Sequence, residues 1–191
     1  YVSYRENHKV MKTSDRIFSS LADAENKSLL RNLRYVDRIS PTRVLFEKKE
    51  FLDFSSNDYL ALSQDKRIAE ESVKWIQKYG NGSSASRLIS GSLVPYQLVE
   101  EEIARWKKSE SALIIGSGYL ANIGVISSLS SRTSAIFADK LNHNSLLNAC
   151  LLSNAKLYRY QHNNLKNLQT LISNENTDEK IIVSDTVFSM D

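Results

Sequence analysis

The residues best suited to chemistry cluster around a glycine turn, Gly116-Ser117-Gly118-Tyr119-Leu120-Ala121. It follows the G-x-G-x-x-G/A pattern, in which glycines let the backbone come close to a phosphate. The free N–H groups of the following helix then bind the anion. Asp139 stands about 20 residues on, where a dinucleotide-binding fold keeps its ribose acid. Anion binding, a dinucleotide site and a plain tight turn therefore all remain open. The bulky Tyr119 favours a ring to be stacked or shielded, and some 110 residues precede the first strand of this unit. Both count against the dinucleotide. His143, in Asn142-His143-Asn144, offers a flat ring and nitrogens that can donate to an anion; in isolation it reads as a helix cap. Ser189 offers a hydroxyl, and Asn57 an amide that serves a ligand or an Asx turn equally well. The Arg31 guanidinium suits a carboxylate or a phosphate, or simply faces solvent. The one cysteine, Cys150, lies in the apolar run Leu146-Leu147-Asn148-Ala149-Cys150-Leu151-Leu152 and reads as a buried structural thiol.

The elements that must position these groups follow from periodicity. Residues 16–35 carry Ile17, Leu21, Ala24, Leu29, Leu30 and Leu33 at helical spacing, an amphipathic arm helix. Val44-Leu45-Phe46 and Phe51-Leu52-Asp53-Phe54 flank a charged turn and predict a short hairpin. Residues 65–79 predict a helix capped by Asp65, with Ile68, Val73 and Ile76 inward. Three of the six glycines fall in the turn-rich stretch 80–91, and Pro95 suits the first turn of a helix reaching Lys107. Strands at 111–115, 134–138, 156–160 and 180–184 then alternate with helices at 119–129, 144–152 and 165–172. This is βαβ order: an α/β fold with a mostly parallel sheet and helices on both faces. Ligands of such sheets bind at the carboxyl ends of strands, after Ile115, Ala138 and Ser184.

Composition narrows the setting. Of 191 residues 41% are hydrophobic, enough for a core, and the net charge of +3 is too mild to imply nucleic acid. A single cysteine excludes an internal disulfide and points to a reducing, cytoplasmic compartment. No run of about 18 apolar residues exists to span a membrane. The polar residues 1–14 lack a signal-peptide core, and Tyr1 stands where an initiator Met would, so the chain is expected to be a piece of something longer.

Four segments together resemble the α-oxoamine synthase family of pyridoxal 5′-phosphate (PLP) enzymes. They are Phe54-Ser55-Ser56-Asn57-Asp58-Tyr59-Leu60-Ala61-Leu62, Gly82-Ser83-Ser84-Ala85-Ser86-Arg87-Leu88-Ile89-Ser90-Gly91, Leu141-Asn142-His143-Asn144-Ser145-Leu146-Leu147 and Val187-Phe188-Ser189-Met190-Asp191. The resemblance covers residues 16–191 and implies a fold-type-I, aminotransferase-like large domain. On it, residues 1–55 form an arm with a short hairpin, and 56–191 the first part of the PLP-binding domain. It implies a homodimer with interfacial sites that condenses an amino acid with an acyl thioester, releasing coenzyme A or carrier protein and then carbon dioxide. The member nearest in these motifs, to which Ser86-Arg87-Leu88 leans, joins L-alanine to pimeloyl-CoA or a pimeloyl carrier protein on the path to biotin. Relatives of the glycine C-acetyltransferase, 5-aminolevulinate synthase and serine palmitoyltransferase types are the alternatives, and an NAD-binding oxidoreductase the more distant one.

Residue by residue, the resemblance makes Gly118 and Tyr119 the cofactor's phosphate and wall contacts, and Ser189 a further cofactor contact. It stacks His143 on the pyridine ring, where the imidazole also orients the substrate carboxylate, and places Arg31 and Asn57 at the substrate. The loop 80–91 would reach a partner subunit's phosphate pocket through Ser86 and Arg87. The family has glycine where Ala61, Ser84 and Ala85 stand, so a different bend is expected there, and Asp185 replaces a glutamate. The family's pyridinium-binding aspartate, second histidine and Schiff-base lysine all follow the fourth segment. Lys140, Lys156 and Lys166 do not sit in its lysine motif, so the stretch alone is expected to be inactive.

Overall fold

The computed structural model describes residues 12–189. His8, Met11 and most of the polar start lie outside the described residues, as do Met190 and Asp191 of the fourth motif. The chain forms two compact units, one up to Gly82 and one from Ser83.

In the first unit, helix α1 (Thr13–Asn26) stops short of the expected Tyr35. Asn26 and Ser28 are weak helix formers. Ser28 turns left-handed (φ 54°), and the Leu29 and Leu30 N–H groups fold back onto the Ala24 carbonyl. Arg31 thus lies beyond the helix, in non-helical chain. Three antiparallel strands follow, β1 (Asp37–Ser40), β2 (Arg43–Phe46) and β3 (Lys49–Leu52). The β2–β3 hairpin is the expected one, closed at Glu47-Lys48 with both residues at positive φ (49° and 64°). Strand β1 escapes the apolar pattern because Ile39 is its sole apolar residue. Helix α2 (Lys66–Tyr79) starts where expected, the Asp65 carboxylate accepting from the Arg67 N–H at 2.8 Å. Its apolar stripe is not inward, however. Ile68, Val73 and Ile76 are 47%, 52% and 49% exposed.

The second unit holds a parallel sheet ordered β5-β4-β6, from β4 (Ala135–Asp139), β5 (Lys156–Tyr160) and β6 (Lys180–Val183). β4 lies at its centre with every residue buried. Side chains alternate across a strand, so Ile136 and Ala138 join Ile126, Ala149 and Cys150 on one face. Ala135 and Phe137 join Tyr160 and Leu168 on the other. The first face is covered by α4 (Gly118–Leu129) and α5 (Asn144–Leu152), the second by α6 (Leu165–Ser173). This is the expected parallel sheet with helices on both faces. Cys150 is wholly buried, as expected, and desolvation pushes its thiol pKa up.

The expected strand at 111–115 does not form. A strand needs a hydrogen-bonded neighbour, and none of the described residues pairs with this stretch as a ladder. Its polar groups are met by side chains instead. The Ile114 N–H donates to Glu100 Oε1 (2.7 Å), and its carbonyl accepts from Arg87 Nη1 (2.9 Å). Glu100 comes from α3 (Val94–Lys107), whose first turn carries Pro95 as expected. Arg87 lies in a π-helical turn, Arg87–Gly91, packed so closely that a Cβ on Gly91 would lie 1.9 Å from the Ala85 carbonyl oxygen. Among the described residues no helix is long and apolar enough to cross a membrane.

Candidate cofactor site

The site grows from three successive loops at one end of the second unit. At the first, Ser117 caps α4: its Oγ accepts from the Leu120 N–H (3.2 Å) and its carbonyl from the Ala121 N–H (3.0 Å). The N–H groups of Gly118 and Tyr119 find no partner among the described residues. A Cβ added at Gly116 or Gly118 would meet nothing within 4 Å, so packing within this chain does not demand either glycine. Two donors without a partner among the described residues therefore stand at a helix start next to a glycine with open space at its Cβ position, which fits a phosphate group. Tyr119 is 42% exposed, and its hydroxyl accepts from Asn148 Nδ2 of α5 at 2.5 Å.

At the second loop, between β4 and α5, His143 is the N-cap of α5. Its Nδ1 accepts the Ser145 N–H (3.2 Å) and lies 2.7 Å from Ser145 Oγ. A nitrogen that accepts from a backbone N–H carries no proton, so the hydroxyl is the donor in the second contact as well. Ser145 Oγ in turn accepts from Asn122 Nδ2 of α4 at 2.8 Å. With Nδ1 accepting, the ring bears its proton at Nε2.

The third loop, after β6, is tied to the second. The His143 N–H donates to Asp185 Oδ2 (2.7 Å), the Asp185 N–H to Asn142 Oδ1 (3.2 Å), and Asn142 Nδ2 to the Val183 carbonyl (2.8 Å). Asp185, standing for a glutamate in the motif, thus anchors the histidine backbone. Ser189 is exposed and makes no hydrogen bond among the described residues; its neighbour Phe188 meets the His162 ring edge-on at 4.6 Å. Among the described residues no hydrogen bond joins Ser189 to His143 or Tyr119. Arg31 and Asn57 belong to the first unit, where both are exposed and their side chains make no hydrogen bond among the described residues. The turn at Asn57 is made by its neighbours instead: Ser56 Oγ accepts from the Asp58 N–H, and Asp58 from Ser63.

Asp139 is 1% exposed and cannot serve a ribose. Burial works to raise its pKa, but donors outweigh it and hold the carboxylate below its ordinary range: the Leu141 N–H, the His162 ring and the Asn163 N–H. The dinucleotide reading therefore loses its acid. Arg87 is engaged within its own unit, paired with Glu100 at 2.7 Å, and its guanidinium lies 4.4 Å from the Tyr96 ring centroid. Lys156 is paired with Glu175 at 2.9 Å, and the hydrogen bonds its ammonium donates to Tyr158 and Glu175 hold its pKa above the usual lysine value. Such an ammonium is no Schiff-base nucleophile.

The sequence singles out His143 and Gly118 as candidates; it does not single out Ser145 and Asn122, which bond to His143 in turn, or Asn142, which ties its loop to the third. Ser145 and Asn142 lie in the same segment as His143, Leu141-Asn142-His143-Asn144-Ser145-Leu146-Leu147. Asn122 carried no signal, because its role depends on a residue 23 positions away.

Residues 49–191 match the family described as aminotransferase class I and II. A Bacillus cereus protein (strain ATCC 10987) provisionally named 8-amino-7-oxononanoate synthase is 43% identical over 174 residues, covering 91% of this chain and 44% of that protein. A Bacillus anthracis protein of the same provisional name is 40% identical over the same shares. The chain spans less than half the length of these relatives. Among solved structures, 8-amino-7-oxononanoate synthase from Francisella tularensis is 34% identical, with TM-score 0.59 over 72% of this chain and 37% of that one. Sphingomonas wittichii serine palmitoyltransferase superposes with TM-score 0.83 at 22% identity, over 95% of this chain and 46% of that one. That likeness bears out the fold-type-I, aminotransferase-like architecture, and the named relatives bear out the resemblance to α-oxoamine synthases. The chain belongs to the aminotransferase class I and II family.

Proposed function

We propose that the full-length protein is a PLP-dependent α-oxoamine synthase, with this chain supplying the N-terminal part of its cofactor site. The observation that carries the reading is a pair of N–H groups left open at the start of α4 together with an imidazole fixed in the loop after β4, on helices joined by the Asn122–Ser145 hydrogen bond. PLP, when bound, supplies an electron-withdrawing ring that stabilises negative charge at the α-carbon of an amino acid. The Gly118 and Tyr119 N–H groups would hold its phosphate, and a Cβ at Gly118 would meet nothing within 4 Å, so there is open space at that position. The Tyr119 ring, steadied by Asn148, walls the site. His143 presents a flat face to the cofactor and an Nε2–H that donates to the substrate carboxylate. Ser189 serves the cofactor, and Arg31 and Asn57 the substrate, each by hydrogen bonding. In the full-length protein a lysine in the family's lysine motif would hold the cofactor covalently and move the α-proton. A homodimer in the cytoplasm goes with this reading.

The Bacillus and Francisella relatives support L-alanine and a pimeloyl thioester as the substrates. The reaction would yield 8-amino-7-oxononanoate, coenzyme A or carrier protein, and carbon dioxide. Purified full-length protein is expected to absorb at about 420 nm with PLP and to lose that band on borohydride treatment. A protein that stays colourless with added PLP would sink the reading. Carbon dioxide release faster with L-alanine than with glycine or L-serine supports the oxononanoate assignment, and the reverse order supports another α-oxoamine synthase.

A further inference from the structure

A histidine is an unusual N-cap, a place that serine, threonine, aspartate and asparagine usually fill. It caps only through a ring nitrogen without a proton. At α5 that nitrogen is Nδ1, and it accepts from the N–H of Ser145, two residues on. Ser145 is 1% exposed, so its hydroxyl has no water to turn to. That hydroxyl has one proton to give and is 2.7 Å from His143 Nδ1; its lone pairs receive Asn122 Nδ2 at 2.8 Å. Every group in the chain then has one consistent role. The amide of α4 donates to the serine, the serine donates to Nδ1, and the proton of the neutral ring is left at Nε2.

The geometry points to Asn122 and Ser145 as positioning residues that lock His143 in its Nε2–H tautomer and fix its ring orientation. Resting on the proposed function, this gives the imidazole a hydrogen-bond donor on the substrate side, where the other tautomer would offer a lone pair to a carboxylate and repel it. The two helices that flank the site are thereby coupled. The start of α4 carries the phosphate donors, and one turn later the same helix sets the proton of the imidazole. Residues that hydrogen-bond the far nitrogen of a metal-bound histidine commonly change activity by about 10-fold or more when removed, and a loss of that order is expected here.

The test uses full-length protein with labelled histidine. Nitrogen-15 and carbon-13 shifts of the His143 ring, assigned by its loss in His143→Ala, read the tautomer directly. Wild type is expected to show the Nε2–H form alone. Ser145→Ala keeps the 3.2 Å backbone bond to Nδ1 and loses the 2.7 Å hydroxyl bond, so it is expected to admit a minor Nδ1–H population, and Asn122→Leu a smaller one, with turnover lowered about 10-fold in Ser145→Ala. Ser153→Ala is the control. Its hydroxyl bonds the Cys150 carbonyl at 2.7 Å at the other end of α5, so it weakens the same helix without touching His143. An unchanged tautomer in both Ser145→Ala and Asn122→Leu overturns the proposal, as does an equal change in Ser153→Ala. If Ser145→Ala fails to fold, Asn122→Leu decides the question by the same signal. The shifts are read without PLP, so a protein that binds no PLP yet shows the tautomer change retains this inference and loses only the proposed function.

Discussion

At the scale of single residues, the departures from the family's glycines have a defined consequence. A different bend was expected at Ala61 and Ser84, yet both adopt the left-handed backbone that glycine favours, at φ 56° and 60°. Asp58 imposes the bend at Ala61: its carbonyl accepts the Ala61 N–H at 3.0 Å, and its carboxylate is held low in pKa by the Ser63 hydroxyl and N–H. Ala85 stays out of that region. The left-handed conformation costs an L-residue about 1–2 kcal/mol, and glycine gives part of this back as unfolded-state entropy. Ala61→Gly is therefore expected to stabilise the protein by about 0.5–1 kcal/mol, read as a higher urea midpoint. A lower midpoint would show that the alanine methyl contributes packing that outweighs the strain.

At the scale of elements, β5 is fastened to the end of α6 by a charged cluster. Glu175, just beyond α6, accepts from the Tyr158 hydroxyl and pairs with Lys156 at 2.9 Å, and these two hold its pKa down to about 2. A carboxylate with a depressed pKa contributes stability that is complete above its unfolded value of 4.5 and is lost as pH falls toward about 2. Melting temperature is thus expected to drop between pH 5 and about 2.5, and Glu175→Gln is expected to flatten that slope while lowering Tm at pH 7. An unaltered slope in the variant would place the acid sensitivity elsewhere. The same scale explains the missing strand. Leu113 is 69% exposed, and the stretch 111–115 is held by the Arg87–Glu100 pair, a local clamp where a ladder was expected.

At the scale of the whole molecule, stability concentrates in the second unit, whose central strand is closed on both faces. Phe137 is fully buried and stacks on Tyr158 with ring centroids 5.2 Å apart. Phe137→Ala removes that ring and leaves a cavity, for an expected loss of about 3–5 kcal/mol in chemical denaturation of the full-length protein. A loss below about 1 kcal/mol would mean that the core can close over the gap. The first unit is thinner by comparison. Val44 is its one buried apolar residue among those described, whereas Phe54, Tyr59 and Leu60 are 92%, 87% and 78% exposed.

The sequence alone determined the parallel sheet, the bounds of most of its helices and strands, the position of His143 just past a strand and that of Gly118 at a helix start. Those features are local: apolar period, caps and glycine turns act over a few residues and leave their mark in order along the chain. The tertiary structure decided the rest. It withdrew the strand at 111–115, because a strand exists only by its neighbours, and it ended α1 at Asn26, where the chain folds back on Ala24. It took Asp139 away from any ligand by surrounding it with donors from residues 141, 162 and 163. It also set the proton on His143, since that depends on an amide 21 residues earlier, brought within reach only when α4 and α5 pack on one face of the sheet.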